Sequence, residues 1–238
     1  MKSQLPIRSL WIAFAIAASA TAVLLALPHD AKKKLDPSYA GFSSDSAKQL
    51  QMRPQVDHPV TPEMSKVASD LSQKKAPAFN LKGTDGKEYS LTELTKDKPL
   101  LIFFVERECP CCLGAKYFVD RLIDLYPGQI NAVGIINAKG AKAERWARVT
   151  KPRFIVLEDF EQKAIRAYSA ERGVYTTLIA QGGTIAKAYP GYSKSMLQEL
   201  SNDVANLLKV EPKKFVSKAA PDEMTSGCVF PDPTTDKL

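Results

Sequence analysis

Three of the four cysteines of this sequence lie within one tetrapeptide, Cys109-Pro110-Cys111-Cys112. Cys109 and Cys112 form a C-x-x-C pair directly after an apolar run, and two such thiols on the first turn of a helix can reach disulfide geometry. The unpaired amides and the dipole at a helix N-terminus stabilise a thiolate, which is the nucleophilic form of cysteine. The spacing therefore favours thiol–disulfide exchange.

Two other interpretations of the cysteine cluster stay open. Cys111 adds a third thiol, and soft thiolates suit copper(I) or zinc. The sequence offers no second C-x-x-C to complete a metal site, and Cys228 lies far away along the chain. Inert packing is the third interpretation, because free cysteine is among the most buried residue types.

The two histidines, His29 and His58, both precede the segment that looks folded. This position argues against histidine triads, histidine metal sites and imidazole bases in the main domain. We expect both side chains to be solvated. The net charge is +7 over 238 residues, but the basic residues are spread thinly, so the sequence shows no stripe that would follow the phosphates of a nucleic acid.

The N-terminus carries an uncharged apolar run over residues 10–27. Its length is near the lower limit for crossing a bilayer, which is roughly 17 to 25 residues. Small-x-small sites at residues 18–20 and 20–22 also fit a cleaved signal peptide. Since the apolar run continues beyond those sites, we expect residues 1–28 to form a membrane anchor. Such a segment would place the main domain outside the cytoplasm, on the periplasmic or cell-surface side.

Composition divides the remaining chain into three parts. Residues 29–75 are rich in Lys, Asp, Ser, Gln and Pro, which is typical of a flexible linker, with a short helix near residues 63–71. Residues 76–210 show the apolar patterns of one folded domain. Residues 211–238 contain four further prolines and are expected to form a loosely ordered tail.

Strand and helix patterns alternate within the folded domain. The continuous apolar run at residues 100–105 predicts a buried parallel strand, and residues 112–126 predict the helix after it. Further strands are predicted at residues 130–136 and 154–157, helices at 141–149, 161–168 and 193–208, and a hairpin over 176–188. This order predicts an α/β fold with a central mixed sheet and helices on both faces.

Four segments of the domain resemble the redoxin branch of the thioredoxin superfamily, which includes alkyl hydroperoxide reductase/thiol-specific antioxidant proteins and membrane-anchored thiol–disulfide oxidoreductases. They are K-A-P-A-F-N-L at 75–81, D-G-K-E-Y-S-L at 85–91, K-P-L-L-I-F-F at 98–104, and C-P-C-C. The similarity continues through residues 173–185 and 191–193 and covers roughly residues 75–210. It implies a thioredoxin-like fold.

The sequence departs from the family pattern in two places. Thioredoxin-like reductases usually carry a cis-proline just before the late strand, where this chain has Val174 or, in a shifted alignment, Tyr175. A peroxiredoxin site should carry P-x-x-x-T-x-x-C, but Ile102 and Glu106 occupy the proline and threonine positions here. Because the proline and threonine of the peroxidase pattern are absent, peroxidase activity ranks second, as the alternative function.

The resemblance implies a membrane-anchored thiol–disulfide oxidoreductase. Cys109 would be the nucleophile and Cys112 the resolving cysteine, with a redox-active Cys109–Cys112 disulfide in place of a bound cofactor or metal. Its partners would be protein or small-molecule thiols and disulfides, a redox-recycling partner and the membrane, but not nucleic acid.

Two alternative functions use the same cysteines. A thiol peroxidase would oxidise Cys109 to a sulfenic acid, which Cys112 or Cys228 would resolve. A copper chaperone would bind its ion through Cys109, Cys111 and Cys112. Arg172, close to the late strand, is a further candidate for contact with a thiolate or a peroxide.

Overall fold

A computed structural model describes residues 58–215 and 219–234 of the chain. The predicted anchor, most of the predicted linker and His29 therefore lie outside the described residues. Within the two described ranges, no helix is both long enough and apolar enough to cross a bilayer.

The described chain alternates short strands and helices. The strands are β1 (Asn80–Lys82), β2 (Glu88–Ser90), β3 (Leu100–Val105), β4 (Asn131–Ile136), β5 (Ile155–Glu158), β6 (Thr176–Ile179) and β7 (Ile185–Tyr189). The helices are α1 (Pro62–Asp70), α2 (Leu91–Leu94), α3 (Pro110–Leu125), α4 (Ala141–Thr150), α5 (Lys163–Ala167) and α6 (Lys194–Leu208). The predicted main-domain elements appear within a few residues of their expected bounds, whereas the small antiparallel β1–β2 pair and α2 were not predicted.

A five-stranded mixed sheet in the order β5-β4-β3-β6-β7 forms the centre of the domain. Strands β4 and β5 continue the sheet parallel to β3, and β6 and β7 add to its other side in antiparallel orientation. The prediction of an α/β fold with a central mixed sheet is confirmed.

All six residues of β3 are buried, because helices cover both faces of the sheet. Alternate side chains of a strand point to opposite faces, and Leu101, Phe103 and Val105 accordingly join one core cluster with residues of α3, α4 and α6. Leu100, Ile102 and Phe104 join a second cluster with residues of α1, α2 and α5. A strand buried on both faces has a continuous apolar sequence, which is why this run was recognisable.

We expected a flexible linker up to residue 75 and a loose tail from residue 211. Both expectations are wrong for the parts of these segments that the structure describes, residues 58–75, 211–215 and 219–234. Val60 N–H donates to the Met224 carbonyl at 3.0 Å, so the end of the predicted linker pairs with the tail. The tail also pairs with the domain, since Phe230 N–H donates to the Glu171 carbonyl at 3.1 Å and the Phe230 ring is buried. Backbone pairing and burial hold these Pro-rich segments in place.

Tyr126, at the end of α3, provides a test of how this fold is held together. Its ring is fully buried, and its hydroxyl donates to the Ser201 carbonyl at 2.8 Å and accepts from Lys213 N–H at 3.1 Å. We expect Tyr126→Phe to lower the free energy of unfolding by about 1–3 kcal/mol, because the buried Ser201 carbonyl loses its donor and the Lys213 N–H loses its acceptor. Denaturant titration of the variant measures this loss.

Tyr117→Phe is the matched control for the same change of side chain. The Tyr117 ring is 36% exposed, and its hydroxyl accepts only a surface hydrogen bond from Arg121. Its substitution should change stability by less than about 0.5 kcal/mol. Equal losses in the two variants would contradict the role assigned to the Tyr126 hydroxyl.

Candidate functional site

The C-P-C-C motif lies where β3 passes into α3, at the carboxyl end of the middle strand of the central sheet. Cys109 is the N-cap of the helix, and Pro110 occupies its first turn, where a missing N–H leaves no helical hydrogen bond unmade. Cys109 and Cys111 are each 2% exposed, and Cys112 is fully buried. The structure therefore places three sulfur atoms at a helix N-terminus, in a site with little access to water.

Hydrogen-bond donors surround the sulfur of Cys109. The Cys111 and Cys112 thiols, in that order of effect, lower the pKa of Cys109 well below that of an ordinary thiol, outweighing the opposing effect of burial. The backbone N–H of Cys228 adds a further hydrogen bond to Cys109 Sγ at 3.1 Å. These donors therefore favour the thiolate form of Cys109.

Cys112 has the opposite character. Its burial, followed by the proximity of Cys109, raises the pKa of the Cys112 thiol. Its sulfur also packs against Gly173, where an added Cβ would lie only 2.6 Å from Cys112 Sγ. One cysteine of the pair is thus stabilised as an anion and the other as a neutral thiol.

Glu106 is a buried carboxyl group beside this pair. It is 6% exposed, and its oxygens accept from Asn137 Nδ2 at 3.3 Å and from Glu108 N–H at 3.0 Å. Burial is the main reason that the pKa of Glu106 is raised to about 7. Glu106 can therefore exchange a proton near neutral pH, a role that its position in the sequence did not reveal.

Val174 lies in the segment that faces the cysteines, at the position expected from the sequence. Its φ of 70° is in the left-handed region, which is rare for a β-branched residue. The Val174 N–H donates to the Phe104 carbonyl of β3 at 3.0 Å. A proline could not make this hydrogen bond, so valine at this position ties the segment directly to the central strand.

The backbone next to Val174 pairs with the chain's own tail. Gly173 N–H donates to the Cys228 carbonyl, and Gly227 N–H donates to the Gly173 carbonyl, both at 2.9 Å. The Arg172 guanidinium donates to the Gly227 carbonyl at 3.2 Å, so the contact found for this side chain is with the tail. Cys228 is half-buried, and burial, followed by the proximity of Cys109, raises the pKa of its thiol to about 12.

His58 also belongs to this site, contrary to the expectation that it is a solvated linker residue. Its carbonyl accepts hydrogen bonds from Ser226 N–H at 2.7 Å and from Ser226 Oγ at 3.0 Å. Its ring lies in a group with Cys111 and Cys228 in which the ligand atoms are all within 4.8 Å of one another. Pairing with the tail brings this histidine to the motif, and such pairing between distant segments leaves no local sequence signal.

Comparison with known proteins agrees with this geometry. The family model of AhpC/TSA proteins matches residues 72–189, which include the motif and all five strands of the central sheet. The match indicates similarity to the redoxin branch of the thioredoxin superfamily. Among curated proteins, no sequence matches this chain.

Solved structures show the same fold at low sequence identity. A protein from Chlorobium tepidum, named as a candidate thiol:disulfide interchange protein DsbE, is 19% identical, with 58% of this chain and 97% of that chain covered and a TM-score of 0.53. An uncharacterised conserved protein from Geobacillus kaustophilus is 18% identical, with 67% and 90% covered and a TM-score of 0.52. These likenesses establish the thioredoxin-like fold.

The lowered pKa of Cys109 can be tested by ultraviolet thiolate absorbance. In the reduced protein, we expect one thiolate signal to persist as the pH falls through neutrality, far below the titration range of an ordinary thiol. Cys109→Ser should abolish this signal, whereas Cys112→Ser should retain a thiolate at neutral pH, because the Cys228 amide and the helix N-terminus remain. An unchanged signal in Cys109→Ser would assign the thiolate to another cysteine.

Proposed function

We propose that this protein is a thiol–disulfide oxidoreductase that works through Cys109 and Cys112. The observation that supports the proposal is the opposite stabilisation of two neighbouring sulfurs. Hydrogen-bond donors at a helix N-terminus favour the Cys109 thiolate, whereas burial keeps Cys112 protonated. A nucleophile and a latent second thiol are what a two-step disulfide exchange requires.

In the first step, the Cys109 thiolate attacks one sulfur of a substrate disulfide. The Cys109–substrate bond forms, the substrate disulfide breaks, and the other substrate sulfur leaves as a thiolate. In the second step, Cys112 loses its proton and attacks Cys109 Sγ, which releases the remaining substrate thiol. The substrate gains two electrons and the Cys109–Cys112 disulfide remains. The reverse sequence oxidises a dithiol.

Glu106 is suited to accept the proton that Cys112 releases. A Cβ added to Gly173 would lie 2.6 Å from Cys112 Sγ and 3.2 Å from Glu106 Cβ, and the charge of Glu106 is one of the causes that raise the pKa of Cys112. With a pKa of about 7, the carboxyl can take up and return a proton in the neutral range. Glu106 therefore serves as a proton acceptor for the resolving step.

An extended peptide that carries a cysteine is the kind of substrate this site favours. The chain's own tail already pairs with the backbone of Gly173 and holds the Cys228 amide against Cys109 Sγ. A substrate strand that replaces the tail would make the same backbone hydrogen bonds and present its disulfide to Cys109. Protein disulfides are accordingly the proposed substrates, and a separate thiol or disulfide partner recycles the motif.

The proposed location is the outer side of a membrane. Residues 10–27 supply the apolar length of an anchor, and a segment of this kind exports the domain that follows it. The domain would then face substrates on the periplasmic or cell-surface side.

Serine variants of the two cysteines test the exchange mechanism. We expect Cys109→Ser to reduce insulin no faster than the uncatalysed reaction, because the nucleophile is lost. Cys112→Ser should instead accumulate a mixed disulfide between Cys109 and the substrate, seen by mass spectrometry of the intact protein. The double variant is the matched control and should form no adduct. Full turnover by Cys109→Ser would refute the assignment.

Peroxidase activity is the second candidate, because the Cys228 backbone contacts the Cys109 sulfur and its thiol is a nearby resolving group. We nevertheless expect hydrogen peroxide to be consumed no faster than by an ordinary thiolate. Glu106 stands where a peroxidase carries threonine, and the Arg172 guanidinium bonds to the Gly227 carbonyl. Rapid consumption with a Cys109–Cys228 disulfide in peptide maps would establish the peroxidase instead.

A further inference from the structure

A second cluster of metal-ligating side chains lies beside the redox pair. The ring of His58, Cys111 Sγ and Cys228 Sγ are all within 4.8 Å of one another. These residues come from the segment before α1, the first turn of α3 and the tail. The Cys111 thiol helps to stabilise the Cys109 thiolate, but neither step of the exchange forms a bond to any of the three side chains. The imidazole of His58 has no role in the exchange, so its position beside two thiols needs a separate explanation.

Backbone hydrogen bonds hold the segments that carry these ligands. His58 is fixed through its carbonyl, which accepts from Ser226 N–H and Ser226 Oγ, so its imidazole is not needed to anchor the segment. Cys228 is fixed through its amide and its carbonyl, which bond to Cys109 Sγ and to Gly173 N–H. The side chains of His58 and Cys228 are thus presented by a rigid backbone, as a preorganised ligand site requires.

We propose that His58, Cys111 and Cys228 bind one Cu(I) ion. Two thiolates and one imidazole form a soft donor set, which favours Cu(I) and Zn²⁺ over harder cations. Structural zinc sites are almost always four-coordinate, and the cluster supplies three donors, so Cu(I) is the better match. This site differs from a copper site at the C-P-C-C motif alone, because its nitrogen and one of its sulfurs come from outside the motif.

Binding requires no change in oxidation state. The thiols of Cys111 and Cys228 each release a proton to solvent as their copper–sulfur bonds form, the His58 imidazole binds in its neutral form, and copper remains Cu(I). Because Cys228 is also bonded through its amide to Cys109 Sγ, the ion would fix the tail on the redox site. The copper site goes beyond the proposed exchange activity and does not depend on it.

Titration of the full chain with Cu(I) tests the site. The reduced protein, kept free of oxygen, competes for Cu(I) with a chromophoric chelator. We expect one ion per chain. X-ray absorption spectra of the bound copper should show both sulfur and nitrogen ligands. His58→Asn and Cys228→Ser should each weaken binding roughly tenfold or more. His29→Asn is the matched control and should bind Cu(I) like the unaltered chain.

The variants also separate this site from other copper or zinc sites. His58→Asn keeps the backbone carbonyl that anchors the tail, and an unchanged thermal unfolding curve would confirm that its loss of affinity reflects the missing imidazole. Unchanged affinity in His58→Asn, with loss in Cys109→Ser and Cys112→Ser, would place copper on the motif and overturn the proposal. Retention of Zn²⁺ but not Cu(I) would overturn the choice of ion.

Discussion

The sulfur of Cys109 is nearly inaccessible to water, and the site depends on how its negative charge is stabilised there. A buried anion is costly unless hydrogen-bond donors surround it. The Cys111 and Cys112 thiols, the Cys228 amide and the N-terminus of α3 supply those donors. One stabilised thiolate also disfavours a second charge nearby, and its proximity adds to the effect of burial in keeping the Cys112 and Cys228 thiols neutral.

The tail completes this environment through contacts that only a close backbone approach permits. A Cβ on Gly227 would lie 2.6 Å from the Gly173 carbonyl oxygen, and a Cβ on Gly173 would lie 2.6 Å from Cys112 Sγ. The two glycines therefore let the tail pack directly on the segment that faces the cysteines. The same pairing delivers a donor to Cys109 and the Cys228 side chain to His58, so redox chemistry and the proposed copper site share one structural support.

Local signals were enough to predict the sheet, its helices and the redox motif. The apolar run of β3 identified a strand covered on both faces, and the hairpin predicted over residues 176–188 corresponds to β6 and β7. The C-x-x-C spacing placed the cysteines on the first turn of α3. The short β1 and β2 strands escaped prediction because three residues are too few to establish an alternating pattern.

The sequence by itself determined the fold class and placed a C-x-x-C pair at a helix N-terminus, because strand burial, helix capping and cysteine spacing are local properties. The family resemblance implied different roles for Cys109 and Cys112, but only the tertiary structure gave the physical basis for a thiolate at Cys109 and a neutral thiol at Cys112. That basis is burial together with hydrogen-bond donors, one of which comes from a distant segment of the chain. The tertiary structure alone also brought His58 and Cys228 to the motif. Pairing between distant backbone segments positions these two residues, and such pairing leaves no periodicity or spacing for a sequence pattern to reveal.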